Sequence, residues 1–342
     1  MSGSSKKAVV SGYYGFDNFG DEAILKVIVS NLKKNNIDVC VISKNPDKTA
    51  KNLDVESVYT FAVSKIIKNL RVSDVLISGG GSLLQDVTSL KSLFYYLFII
   101  FCAIALRKKV IIFAQGIGPI NNIVGRLTTR MLVKHCSFVT VRDEKSLFRM
   151  REWGIAAKLV NDPVWGIEVK EPVKMERVGV QLRSWKNLSG KYLAALAAQV
   201  AKNFSDKEIY IYSFQDALDL DICKKFEMNL KIADDTLKTR IVSAVGVDEI
   251  VQSVSNLEYM IAMRYHACLL ALKYGVKTMA LSYDEKVQKL ANRFCIPCSD
   301  LADIEKLPDY FEKLKTLDAK KIQTETENLD FDFSEILSVI KH

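Results

Sequence analysis

The feature that most constrains this chain is a repeated alternation. Short runs of β-forming residues give way to amphipathic stretches, again and again, along nearly all of its 342 residues. Strands separated by helices cannot pair as hairpins, so they wind into parallel sheets whose faces the helices cover. In the first half the pattern predicts strands at Ala8–Ser11, Asp38–Ile42, Asp74–Ser78, Val110–Ala114, Ser137–Val141 and Ala157–Leu159. Helices are expected near Gly20–Lys34, Ser89–Leu106, Asn122–Lys134 and Glu144–Trp153. The pattern breaks around Asn161-Asp162-Pro163, and the charged, proline-containing stretch that follows has no period, as a linker would have none. It restarts at Val178–Leu182 and continues through Glu208–Tyr212, Thr239–Ser243, Tyr259–Ala262 and Thr278–Leu281.

Single cores stop growing near ~250–300 residues, so two domains are expected. The predicted fold class is α/β, with two Rossmann-like domains and an interdomain cleft. Residues 1–165 form the first domain, 166–176 the linker and 177–320 the second, and a C-terminal helix over 321–342 packs back on the first.

Lys plus Arg exceed Asp plus Glu by 48 to 40, an excess of +8 that favours anionic partners without naming one. No run of five cations and no aromatic-studded basic repeat is present, so nucleic acid is not an expected partner. The seven cysteines are scattered through apolar runs, as small hydrophobes are in a reducing cytoplasm. Cys295-Ile-Pro-Cys298 follows a helix late in the chain and has no second pair to complete a zinc site, so it reads as structural. No metal and no cofactor are expected. The opening Met-Ser-Gly-Ser-Ser-Lys-Lys lacks an apolar core, so it does not read as a secretion signal.

Leu93–Leu106 is fourteen uninterrupted apolar residues closed by Arg107-Lys108-Lys109. As a helix it spans about 21 Å, short of the ~30 Å hydrocarbon core. Two readings stand: a helix buried on a sheet, or an interfacial helix beside a basic collar, which would hold the protein at a membrane surface.

Three glycine-rich turns fall at predicted strand ends. They are Gly12-Tyr13-Tyr14-Gly15-Phe16-Asp17-Asn18-Phe19-Gly20-Asp21-Glu22, Gly79-Gly80-Gly81-Ser82-Leu83-Leu84-Gln85-Asp86 and Gln115-Gly116-Ile117-Gly118-Pro119. Open α/β sheets bind ligands at the carboxyl ends of their strands, and glycine there lets backbone approach a ligand closely. The first turn is not G-x-G-x-x-G and no acid closes the next strand, which argues against a plain nicotinamide or flavin site. Asp17 or Asn18 suits a helix cap as well as a ligand contact.

Arg142, Arg183 and Met263-Arg264-Tyr265-His266 also follow strands, and Lys286 opens a helix after one. Guanidinium forks match carboxylate and phosphate, so the set suits a small, multiply charged anion. His266, beside an arginine at a strand end, is a better general acid than His135 or His342.

Together these blocks resemble the polysaccharide pyruvyltransferase family, most closely its bacterial CsaB-type cell-wall branch. The resemblance runs through Gly12–Leu25, Gly79–Asp86, Gln115–Ile120, Arg142–Ser146, Met263–Leu270 and Ser282–Lys286, in order, with Arg183-Ser184-Trp185 standing where Arg-Pro-Trp is typical. It implies a GT-B-like fold with phosphoenolpyruvate as donor and a cyclic ketal on two hydroxyls of one sugar as product. In the cell-wall branch that is a 4,6-ketal on a β-linked N-acetylmannosamine carried on undecaprenyl diphosphate, made at the inner face of the cytoplasmic membrane.

The first domain would then hold the acceptor, through Tyr14, Asn18, Gly80, Gly81, Ser82, Gln85 and Gln115. Arg142, Arg183, Arg264, His266 and Lys286 would hold the donor. His266 would protonate the donor's methylene carbon, and Asp17, Asp21 or Asp86 would take the sugar's proton. The main rival is a GT-B glycosyltransferase using a nucleotide sugar on a lipid-linked glycan, for which Glu285 is the only near candidate to hold a ribose. A non-catalytic carbohydrate-binding protein is a further alternative.

Overall fold

The computed structural model describes residues 5–169, 172–329 and 331–342. Residues 1–4 of the opening segment, residues 170 and 171 of the expected linker, and residue 330 of the expected C-terminal helix lie outside the described residues. The chain divides into two compact units, Met1–Ile167 with Asp330–His342, and Glu168–Leu329.

In the first unit the elements run β1 (Lys6–Ser11), α1 (Phe19–Lys34), β2 (Ile37–Ser43), α2 (Pro46–Leu53), β3 (Glu56–Tyr59), α3 (Val63–Val72) and β4 (Val75–Ser78). There follow α4 (Leu90–Ala105), β5 (Lys109–Gln115), α5 (Ile123–Lys134), β6 (Phe138–Val141), α6 (Glu144–Glu152) and β7 (Lys158–Leu159). All the pairings are parallel, in the order β3-β2-β1-β4-β5-β6-β7. The central strands are apolar on both faces, as strands covered by helices on both sides must be; Val75–Ser78 is wholly buried.

Sequence periodicity misses β3 with the helices on either side of it. The run Asp74–Ser78 is therefore the fourth strand in the chain, not the third, and the two site turns that follow come after the fifth and sixth strands.

The apolar helix α4 divides between the two readings. Leu93, Tyr96, Leu97, Ile99, Ile100 and Ala103 are buried in the first core, each large side chain contributing roughly 1.5–3 kcal/mol. Phe94, Phe98 and Phe101 stay exposed at 37%, 43% and 52%.

The second unit runs β8 (Arg177–Gln181), α7 (Gly190–Asn203), β9 (Glu208–Tyr212), α8 (Asp216–Ala233), β10 (Thr239–Val242), α9 (Val247–Ser255) and β11 (Tyr259–Ala262). It continues with α10 (Tyr265–Lys273), β12 (Lys277–Ser282), α11 (Glu285–Arg293), β13 (Cys298–Asp300), α12 (Leu307–Thr316) and α13 (Ala319–Thr326). Its sheet is also parallel, ordered β10-β9-β8-β11-β12-β13. The Cys295–Cys298 segment leads into β13; both thiols are free, and Cys298 Sγ lies 3.3 Å from Gln288 Oε1.

The expected helix over 321–342 is instead two helices. α13 belongs to the second unit, whereas α14 (Ser334–Lys341) belongs to the first. There Phe331 and Phe333 pack on Phe113 at ring separations of 4.9 and 5.5 Å, and Lys109 Nζ donates to the Val339 carbonyl at 2.9 Å.

Candidate active site

Each sheet has one place where the strand order reverses, β1 beside β4 in the first and β8 beside β11 in the second. Helices leave to opposite faces there, and the diverging loops open a ligand crevice at the carboxyl ends. The motif residues gather at both places.

In the first unit the turn after β1 and the turn after β4 interlock. Tyr14 fills the space above Gly12 and Gly79, and a methyl group at either glycine would overlap its ring or hydroxyl. These two glycines thus admit a side chain of the protein itself. Tyr14 is 1% exposed, and its hydroxyl has no hydrogen-bond partner among the described residues. Burial, with the Asp21 and Glu22 carboxylates beside it, holds the phenol protonated well above its ordinary range. Gly80 lies against Ile24 of α1, while Gly81, at φ +94°, leaves room for Asp21 Oδ1, 2.8 Å from where a β-carbon would stand.

The turns after β4 and β5 are stapled together. Gly116 N–H donates to the Gly81 carbonyl and Gly118 N–H to that of Leu84, both at 2.8 Å. Gln115 is internal, its Nε2 donating to Ser78 O, Ser78 Oγ and Gly79 O at 2.8–3.0 Å. Gln85 accepts from Val87 N–H and Thr88 N–H and so shapes its own loop. Asp86 accepts from Asn122 N–H at 2.7 Å, and N–H donors from Asn122 and Asn121 hold its carboxyl below the usual range, which makes it a weak base.

The other two carboxylates part company. Asp17, at φ +56°, turns outward to an exposed ion pair with Lys48 at 2.7 Å. Asp21 stays in the first turn of α1, whose N-cap is Asn18, accepting from Gly20 N–H at 3.0 Å. Arg142, after β6, donates to Asp162 at 2.6 Å and to Ser82 Oγ at 3.4 Å, with Asp162 1% exposed on its side chain.

Sequence reasoning missed Glu22. Its Oε1 accepts from Gly15 N–H at 2.7 Å, closing the first loop, and burial pushes its carboxyl up to about 7. The only sequence signal was its place in the glycine loop's final Asp-Glu pair.

In the second unit Arg183, Arg264 and Tyr283 leave the adjacent strands β8, β11 and β12. The Arg264 guanidinium meets Asp219 at two points, Nε to Oδ2 at 2.7 Å and Nη2 to Oδ1 at 2.6 Å, and its own N–H donates to Gln181 Oε1 at 2.8 Å. Asp219, fully buried, also accepts from Phe214 and Gln215 N–H at 3.1 Å. Arg183 lies by the faces of Trp185 and Tyr283, 5.4 and 5.6 Å from the ring centres, so the arginine and tryptophan that flank Ser184 lie against each other. His266 stands in the first turn of α10, half-buried, with the Tyr265 ring 5.3 Å away edge-on. Lys286 is exposed on the first turn of α11. Glu285 is exposed and paired with Lys289 at 3.3 Å.

The family profile described as polysaccharide pyruvyl transferase matches residues 18–285, a span that takes in every motif above except the start of the first loop and Lys286. The chain belongs to the polysaccharide pyruvyl transferase family. No curated protein matches this pyruvyl transferase in sequence. Among solved structures it is similar to the UDP-GlcNAc 2-epimerase of Methanocaldococcus jannaschii, at 12% identity over 97% of this chain and 99% of that one, with a TM-score of 0.65. It is also similar to a glycosyltransferase of Rickettsia africae, at 12% identity, 99% and 98% coverage and a TM-score of 0.61. A UDP-GlcNAc 2-epimerase of Neisseria meningitidis, solved with UDP-GlcNAc, aligns at 12% identity over 98% and 99% of the two chains with a TM-score of 0.59. At such identities the likeness carries the fold alone. This pyruvyl transferase is thus built of two parallel-sheet α/β domains of the kind found in GT-B glycosyltransferases and epimerases.

Proposed function

We propose that this pyruvyl transferase takes its pyruvyl group from phosphoenolpyruvate and closes a 4,6-ketal on a β-linked N-acetylmannosamine of a CsaB-type cell-wall precursor carried on undecaprenyl diphosphate. The observation that carries the donor assignment is the second unit's cluster, where Arg183 and Arg264 leave neighbouring strands and His266 lies two residues beyond Arg264. A dianionic phosphate ester next to a carboxylate needs two cationic forks, and its chemistry needs an acid close by.

In the reaction His266 delivers a proton to the donor's methylene carbon, which becomes the methyl group, while positive charge gathers at C2. One sugar hydroxyl attacks C2 and gives up its proton to a carboxylate. Asp21 suits that role best, since Asp17 faces Lys48 and Asp86 is held ionised by N–H donors. The second hydroxyl then attacks the same carbon as the C–O bond to phosphate breaks, its proton passes to the departing phosphate, and the ketal closes. Arg183 and Arg264 keep fixed positive charge on the departing phosphate, with Lys286 as a further cation. Tyr14, Asn18, Gly80, Gly81, Ser82 and Gln85 belong to the acceptor side, where the buried Tyr14 ring supports the two glycine turns from within. Gln115 supports that side from within. A polyprenyl-borne acceptor places the enzyme at the inner face of the cytoplasmic membrane.

A nucleotide-sugar glycosyltransferase is the second reading, favoured by the fold of the Rickettsia protein. Glu285, its ribose-binding candidate, is engaged on the surface by Lys289. Isothermal titration separates the two. Phosphoenolpyruvate should bind and release phosphate in the presence of acceptor, while UDP should not bind; the opposite pattern would transfer the protein to the second reading.

A further inference from the structure

The cationic excess is concentrated in one place. From Val87 to Val141 the sequence holds seven Lys and Arg residues and no Asp or Glu, so this stretch alone carries +7 of the chain's formal +8. It contains the neighbouring helices α4 and α5, which approach closely where Gly125 meets Leu93; a β-carbon at Gly125 would stand 2.9 Å from the leucine's Cδ2. Each helix turns an apolar stripe to solvent. On α4 it is Phe94, Phe98 and Phe101, and on α5 it is Val124, Leu127 and Met131, the last three each more than half exposed. The spacings i, i+4, i+7 and i, i+3, i+7 set each stripe along one side of its helix. Lys91, Arg126, Arg130 and Lys134 are exposed on the same two helices.

We propose that α4 and α5 together form a docking surface for anionic lipid, with the two apolar stripes entering the headgroup boundary and the surrounding cations resting on phosphate. Stripes of large apolar side chains with a basic rim and no acid are the pattern of helices that lie in a membrane interface. Among the described residues no helix is long and apolar enough to cross a bilayer, so the attachment lies along the surface. A second copy of the chain fits less well. A two-fold contact through these helices would set Arg126 and Arg130 near their own copies, with no carboxylate anywhere in the stretch to pair them. The proposal extends the functional reading, because a lipid-borne acceptor stays at such a surface. Vesicle binding needs neither donor nor acceptor, however, so its failure and the failure of a transferase assay are separate results.

The test is sedimentation of the full chain with vesicles of phosphatidylglycerol and phosphatidylcholine in equal parts, against phosphatidylcholine alone. Binding to the anionic vesicles is expected at low salt, weakened at least about tenfold on neutral vesicles or at high salt. Phe98→Ser with Leu127→Ser should lose it to a similar degree. Arg126→Glu with Arg130→Glu alters only exposed positions, keeps the core intact and should lose it as well. Circular dichroism checks that each variant is folded. Unchanged binding by both folded variants, or no binding of the native chain to anionic vesicles, overturns the proposal. Concentration-dependent self-association that disappears in the same variants overturns it in favour of an interface between copies.

Discussion

Asp219 grips the Nε–Nη2 edge of the Arg264 fork, at 2.7 and 2.6 Å, from a position with no solvent exposure. The arginine's reach is therefore decided on α8, forty-five residues earlier in the chain. Removing one partner of a buried pair leaves the other charge uncompensated, at a cost of about 3–5 kcal/mol. Asp219→Asn should lower stability toward that range, softened where Arg264 can still reach water, and should raise the KM for phosphoenolpyruvate at least about tenfold with the acceptor KM unchanged. Urea unfolding and steady-state kinetics read the two effects. Unaltered donor kinetics in a folded variant would show that Asp219 serves stability alone.

In the proposed reaction His266 is the acid. Its half-buried place in the first turn of α10 leaves the core of the second unit independent of it. His266→Ala is expected to remain folded and to lose about 10²-fold or more in turnover, as the loss of a general acid implies. Phosphate release followed with acceptor present is the measurement, and near-native turnover removes His266 from the chemistry.

The fit of Tyr14 above Gly79 predicts a coupled pair. Gly79→Ala should cost about 1–3 kcal/mol, because the new methyl overlaps the hydroxyl. Tyr14→Phe alone should be close to neutral, since it deletes a buried hydroxyl that has no partner among the described residues. Combined, the two should recover most of the loss. A double-mutant cycle with no coupling energy would mean that the glycine is needed for another reason.

Glu22 makes stability depend on pH. Its carboxyl is raised from 4.5 to about 7, chiefly by burial and also by Asp17, against N–H donors from Gly15 and Phe16 and the Lys48 charge. The folded state thus favours the protonated form. The stabilisation is fully present below about pH 4.5 and is lost as pH rises through about 7, an effect of up to about 3 kcal/mol. Glu22→Gln removes the titration. The variant's stability relative to the native chain should therefore climb between pH 5 and pH 8, and a difference independent of pH would point to another group.

Much of this architecture is legible in the sequence because central parallel strands are continuous apolar runs between turn residues, as at Val75–Ser78. What escapes is short, edge-placed or half-exposed. Glu56–Tyr59 has only one buried residue in four, and Cys298–Asp300 has three residues with one buried, so neither shows the pattern of a covered strand. In the site, the motif loops could be read but not their partners. Asp162 lies where the periodic pattern breaks, Asp219 is one of two acids in the first turn of α8, and Glu22 directly follows Asp21. A carboxylate's worth depends on which cation or N–H it meets, and for Asp219 that cation lies forty-five positions away.

The return of Phe331, Phe333 and α14 to the first unit bears on how the protein is made. A nascent chain has all seven strands of the first sheet in hand before the second unit is synthesised, yet Phe113 lacks its aromatic cover until the residues after 330 leave the ribosome. The continuous second unit can close as one piece meanwhile. The domain begun first is thus the one finished last, and a prematurely stopped chain ending near residue 329 would present an uncovered Phe113 to chaperones and proteases.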